Sequence, residues 1–198
     1  ALNLHGEKNN VGLHEPYFKD TNALDNVRKC LDSGWVSSSG SFVKEFEKQI
    51  CQFTGSKHAV AVTNGTVGLR LALHCIGVKP NDEVLIPSFT FVATANAISH
   101  LGAIPHFLDI DPLNFSLSKD IVKERLQQFA YKKGKEVYNK STGRRISAIV
   151  PVHVFGIPGD ILGLKEVADE WKLPIVEDST EALGSKIFKD KNDLVHCG

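Results

Sequence analysis

Pro174-Ile175-Val176-Glu177-Asp178-Ser179-Thr180-Glu181 is a short apolar run that ends in acidic and small polar residues. Read as a strand, it carries Asp178 to the carboxyl edge of its sheet, where ligands bind in open α/β folds. Far upstream, the apolar run His58-Ala59-Val60-Ala61-Val62 ends in Thr63-Asn64-Gly65-Thr66 and opens a helix. Backbone amides at a helix start favour an anion, and Gly65 allows close approach of the backbone to it. An acidic group at one place and a phosphate seat at another suit a flat, cationic, phosphorylated ligand.

Between these two points apolar runs alternate with helical patterns, the signature of βαβ units and a mostly parallel sheet. His58–Val62, Glu83–Pro87, Ile104–Leu108 and Ile146–Val152 read as the first four strands, Pro174–Asp178 as the fifth, and Leu183–Phe188 as a candidate sixth. Helices are predicted over Val67–Ile76, Phe91–His100, Asp120–Ala130 and Ile161–Trp171. Tyr131–Arg145 is polar and basic and reads as a surface loop. Ahead of the core, Asp20–Ser33 and Ser41–Phe53 read as helices, the second with an apolar stripe of Phe42, Val43, Phe46, Ile50 and Phe53. Gly34-Trp35-Val36-Ser37-Ser38-Ser39-Gly40 is the loop between them. The fold class is therefore α/β, a mostly parallel sheet flanked by helices.

Composition narrows the function. The 198 residues carry 23 basic and 23 acidic side chains, a balance that does not attract nucleic acid or an anionic membrane. No apolar run is long enough to span a bilayer. Cys30, Cys51, Cys75 and Cys197 are scattered without a Cys-x-x-Cys pair, and the histidines show no ligand spacing, so no metal site is expected. Scattered thiols fit a reducing cytoplasm. The phosphate seat is neither a Walker loop nor Gly-x-Gly-x-x-Gly, which argues against a dinucleotide-binding oxidoreductase, the competing reading that an NADH titration tests.

Each candidate residue also has a purely structural reading. Thr66 can simply cap the helix it opens. An aromatic in Pro87-Ser88-Phe89-Thr90-Phe91-Val92-Ala93-Thr94 can lie flat on a planar ring or pack in the core. His153, in Val152-His153-Val154-Phe155-Gly156, can contact a ligand or be a satisfied core histidine. Asp178 can cap the following segment or pair with a pyridinium nitrogen, keeping the ring protonated as an electron sink. Glu181, three residues on, falls on the same side if a helical turn follows.

In order and spacing, Thr63-Asn64-Gly65-Thr66, Pro87-x-Phe-Thr-Phe-Val-Ala-Thr, Gly102-Ala103-Ile104-Pro105 with Asp109-Ile110-Asp111, Val152-His153-Val154-Phe155-Gly156 and Glu177-Asp178-Ser179-Thr180-Glu181-Ala182-Leu183-Gly184 resemble the DegT/DnrJ/EryC1/StrS sugar aminotransferases. The resemblance runs from about Leu13 to Gly198. Thr142-Gly143-Arg144-Arg145 and Gly34-Trp35-Val36-Ser37 are similar to the LegC-like subgroup, which acts on nucleotide-linked 4-keto-6-deoxy sugars. The resemblance implies the aspartate-aminotransferase fold (fold type I), pyridoxal 5′-phosphate as cofactor, and formation of a UDP-4-amino sugar with an amino-acid donor such as glutamate. It assigns Gly65 and Thr66 to the cofactor phosphate, Phe91 to the ring face, Asp178 to the pyridinium nitrogen, Glu181 to the ring oxygen and substrate side, and His153 to the cofactor pocket. Trp35 and Ser38 fall where the family's N-terminal loop approaches substrate.

The family's Schiff-base lysine lies beyond Glu181 in a Ser-Phe-x-x-x-Lys stretch. Lys186, Lys189 and Lys191 do not stand in that motif. The expectation is the N-terminal part of a longer, cytoplasmic, homodimeric enzyme. Residues 1–54 would form a helical region and 55–198 an incomplete α/β core, without the small C-terminal domain. By itself such a chain is expected to be inactive. The alternatives are a sugar dehydratase of the same family, with histidine at the lysine position, and a non-catalytic ligand-binding or regulatory fragment.

Overall fold

Helices with caps and strands with continuous apolar runs set the framework. A computed structural model describes residues 16–188 and 194–198. The chain divides into two units, Ala1–Gln49 and Ile50–Gly198. In the first unit α1 (Ala23–Ser33) ends at Gly34, whose φ of 70° gives the left-handed cap that stops a helix, and its amide donates to the Leu31 carbonyl. The helix α2 (Ser41–Thr54) runs across the boundary into the second unit.

The second unit is built on α3 (Gly65–Cys75), β1 (Glu83–Pro87), α4 (Val92–Ser99), β2 (Ile104–Leu108), α5 (Lys119–Phe129), β3 (Ala130–Lys133), β4 (Glu136–Asn139), β5 (Arg145–Ile149) and α6 (Ile161–Trp171). The sheet order is β2-β1-β5-β4-β3. The first three strands are parallel, and β4 and β3 are antiparallel additions. Every residue of β1 is buried, as a central strand covered on both faces requires. Val84 and Ile86 pack with Leu73, Ile98, Ala148 and Val150 on one face. Leu85 packs with Leu117, Leu126, Ile146, Ile149, Leu164 and Trp171 on the other. Full burial of each such aliphatic side chain contributes about 1.5–3 kcal/mol.

One extra residue in β5 sets this division. Glu83 pairs with Ile146 but Val84 pairs with Ala148, so Ser147 is bulged. The bulge puts Ile146 and Ile149 on the same face although they are three residues apart. Glu83, almost fully buried at the amino end of β1, accepts from Thr142 Oγ1 (2.6 Å), Asn139 Nδ2 (2.9 Å) and His106 Nδ1 (2.9 Å). Burial opposes its ionisation, but these three donors outweigh it and hold its carboxyl below the ordinary range.

Several sequence expectations change. His58–Val62 forms no strand, and Val60 and Val62 are exposed. Tyr131–Arg145 is a hairpin rather than a loop: β3 and β4 pair through a two-residue turn whose Gly134 has φ 66°. Tyr131 and Tyr138 stack across it with ring centroids 5.8 Å apart. Pro174–Asp178 joins β5 through two isolated parallel bridges, Ile149 with Ile175 and Val152 with Asp178, rather than a full ladder. The predicted sixth strand shortens to β6 (Lys186–Phe188), which pairs with β7 (Leu194–His196) in a separate two-stranded sheet. Lys186 is exposed, while Lys189 and Lys191 lie outside the described residues.

Candidate active site

The α3 end of the site begins at Asn64, not Thr66. Asn64 is the N-cap, and its side chain accepts from the Val67 amide at 3.0 Å. The cap therefore leaves the Thr66 hydroxyl and the first-turn amides of Gly65 and Thr66 outside the helix ladder. A Cβ built on Gly65 would stand 3.6 Å from Thr180 Oγ1. That distance brings the start of α3 against the segment carrying Asp178.

Asp178 reaches this place by pairing with the continuation of β5. Its amide donates to the Pro151 carbonyl at 2.9 Å, and its carbonyl accepts from the His153 amide at 3.1 Å. Its Oδ1 accepts from Thr180 Oγ1 at 2.7 Å and the Thr180 amide at 3.3 Å, an Asx turn rather than the cap of a helix. Residues after Asp178 form turns, so Glu181 is not set beside it by a helical repeat. Among the described residues Asp178 Oδ2 receives one donor, Thr94 Oγ1 at 2.8 Å. A carboxylate oxygen has two acceptor positions, so Oδ2 can take a further N–H donor.

Phe91 is the N-cap of α4, and its side chain is 75% exposed. It is thus available to a ligand face and is not a core residue. Thr94, one turn later, is fully buried and was not singled out by the sequence reading. Its helical spacing from Phe91, within the same quoted motif, was the available signal.

His153 is fully buried, and both ring nitrogens are engaged inside the protein. Nδ1 accepts from the Gly159 amide at 2.9 Å, so the proton stands on Nε2 and is donated to Glu177 Oε2 at 3.0 Å. The structure therefore gives this ring protein partners where a ligand contact was expected, and makes it a brace under the Asp178 segment. Burial opposes ionisation of Glu177, yet the His153 N–H and the Gly198 amide hold its carboxyl below the ordinary range.

Glu181 Oε2 accepts from the Phe155 amide at 2.6 Å. Phe155 has φ 56°, a left-handed conformation that costs a non-glycine residue on the order of 1 kcal/mol or more. Glu181 thus ties down the strained turn Val154–Gly156 at the end of the β5 continuation. Phe155, Phe89 and Phe115 form an aromatic cluster with centroids 5.9–6.3 Å apart. In the first unit, Trp35 and Ser38 are exposed in the α1–α2 loop. Trp35 lines a groove of about 450 Å³ with Val27, Leu31 and Phe42. The structure brings Gly65, Asp178 and, through Thr94, the start of α4 together.

No helix among the described residues is long and apolar enough to cross a membrane. Residues 18–192 match the DegT/DnrJ/EryC1/StrS aminotransferase family. GDP-perosamine synthase of Vibrio cholerae is 36% identical over 177 residues, covering 89% of this chain and 44% of that protein. GDP-perosamine synthase of Caulobacter vibrioides is 38% identical over 166 residues, covering 84% and 40% respectively. This chain thus spans less than half the length of these relatives. Among solved structures, DesI in the presence of its TDP-sugar product superposes with TM-score 0.69 at 35% identity, over 85% of this chain and 38% of that one. NtdA of Bacillus subtilis with bound cofactor PMP gives TM-score 0.69 at 27% identity, over 81% and 33%. The chain belongs to the DegT/DnrJ/EryC1/StrS aminotransferase family.

Proposed function

We propose that this chain is the amino-terminal part of a pyridoxal phosphate-dependent aminotransferase acting on a nucleotide-linked 4-keto-6-deoxy sugar, with an amino acid such as glutamate as donor. The observation that carries the reading is Asp178 Oδ2, which has an open acceptor position at the carboxyl edge of the sheet while Gly65 stands against the same segment. Membership of an aminotransferase family supports the reaction class.

When bound, pyridoxal phosphate supplies the electron sink that stabilises negative charge at the amino-bearing carbon. The first-turn amides of Gly65 and Thr66 hold its phosphate, where the dipole of α3 favours an anion. Phe91 presents its exposed ring to the cofactor face. Asp178 accepts the pyridinium N–H and so holds that proton in place through the reaction. Glu181 and His153 act behind this layer: the first secures the Phe155 turn, the second the Asp178 segment. The nucleotide is the uridine form expected of the LegC-like subgroup. A homodimer is the expected assembly of the longer enzyme, and the cytoplasm its compartment.

The test has two parts. Absorbance and fluorescence titration of the 198-residue chain with pyridoxal phosphate should reveal saturable, borohydride-insensitive binding and no transamination. A polypeptide extended to the family's length should aminate a UDP-linked 4-keto-6-deoxy sugar in preference to GDP- and TDP-linked ones. Failure of the first part removes the cofactor reading, and activity confined to GDP or TDP sugars removes the nucleotide assignment.

A further inference from the structure

Thr94 lies between two oxygens. Its Oγ1 is 2.8 Å from Thr90 Oγ1 and 2.8 Å from Asp178 Oδ2. A hydroxyl has one proton and a carboxylate only accepts, so Thr94 gives its proton to Asp178 and must accept that of Thr90. The series runs in one direction, Thr90 to Thr94 to Asp178, and hydrogen bonds in series polarise one another. Asp178 is therefore held at both oxygens by different elements: Oδ1 by Thr180 in its own turn, Oδ2 by α4.

The bond from α4 does something the Thr180 bonds cannot. Phe91 caps α4, and the Thr94 amide donates to the Phe91 carbonyl at 3.1 Å, closing the first helical turn. One rigid turn thus ties the exposed Phe91 to the Asp178 carboxylate. We infer that Thr94 is a positioning residue, through which α4 sets the angle of the Asp178 carboxylate against the Phe91 ring so that both address one planar ligand. This inference rests on the cofactor reading of Asp178 and Phe91 given above.

Thr94→Val keeps the side-chain shape and removes both hydrogen bonds, whereas Thr94→Ser keeps the hydroxyl. The readouts are pyridoxal phosphate affinity, the pH dependence of the bound cofactor's visible absorbance, and kcat and KM in the family-length enzyme. Thr94→Val should weaken cofactor binding and lower kcat by on the order of 10- to 100-fold, as losing an orienting partner does. It should shift the absorbance profile and leave KM for the sugar nucleotide unchanged. Thr94→Ser should restore all three readouts. A Thr94→Val protein that behaves as wild type, or a Thr94→Ser protein as impaired as Thr94→Val, overturns the inference. If Thr94→Val does not fold, Thr90→Val takes its place, because it removes only the upstream donor. A smaller change in the same direction supports the inference, and no change overturns it. Asp178→Asn separates the two levels. If it leaves affinity and absorbance intact, the proposed function itself falls. If it abolishes them while Thr94→Val does not, only the positioning role falls.

Discussion

His153 Nε2 stands 3.0 Å from Glu177 Oε2, inside the protein and directly before Asp178 in the chain. The imidazole also accepts the Gly159 amide, so it joins the β5 continuation, the loop before α6 and the Asp178 segment. Substituting His153 with alanine leaves a buried amide and a half-buried carboxylate without their partner and opens a cavity. Chemical denaturation should register a loss on the order of 3 kcal/mol. Pyridoxal phosphate affinity, compared under conditions where both proteins are folded, should fall less than it does for Asp178→Asn. The reverse order would restore a direct ligand role for His153.

Glu83 predicts an acid limb in stability. Its folded pKa lies below the reference value of 4.5. A group depressed in the folded state contributes fully above its unfolded pKa and loses that contribution as pH falls through the folded pKa. Stability should therefore decline as pH drops below about 4.5, and Glu177, shifted the same way, adds to the effect. Glu83→Ala should lower neutral-pH stability by on the order of 3 kcal/mol, because three donors lose their acceptor. It should also flatten the acid limb. Thermal unfolding from neutral to acid pH measures both, and an unchanged limb would count against Glu83 as a contributor.

Gly65→Ala separates folding from binding. Its nearest neighbour would be 3.6 Å away, ordinary van der Waals contact, and its φ is not in the left-handed region. The substitution should stabilise the fold by about 0.4–1 kcal/mol. The same methyl group would stand where the first-turn amides meet a phosphate, so pyridoxal phosphate affinity should fall on the order of 10-fold, about 1.4 kcal/mol. Parallel melting and binding titrations test the opposite signs.

Asp178→Asn should cost far more in turnover than in folding. The amide preserves shape: its oxygen can still accept from Thr180 while its NH2 donates to Thr94 Oγ1, whose own proton turns to Thr90, so the melting temperature should move little. Without the carboxylate the pyridinium proton loses its partner, and kcat in the family-length enzyme should fall on the order of 100-fold or more. Unchanged turnover would reject the pairing.

The helices show what could be read locally. α2, α3, α5 and α6 lie within a few residues of their predicted spans, because a helix satisfies its backbone within its own chain and marks its ends with caps such as Gly34. β1 and β5 were legible because buried parallel strands read as apolar runs, and β2, at the edge of the sheet with only Leu108 buried, because its short run is bounded by Gly102 and Asp109. Tyr131–Arg145 reads as a loop in the sequence but folds as a hairpin, because a strand depends on its neighbour. The basic segment finds its ladder by pairing with itself across Gly134.

By itself the sequence determined the α/β framework and the family, and brought Gly65, Phe91 and Asp178 forward as candidate site residues. Only the tertiary structure decided how those residues are held. The Thr94–Asp178 hydrogen bond spans 84 residues, the ring of His153 is committed to Gly159 and Glu177, and Glu181 is committed to the Phe155 amide. Side-chain donors and acceptors are satisfied through space, and their pairing follows the packing of distant elements rather than spacing along the chain.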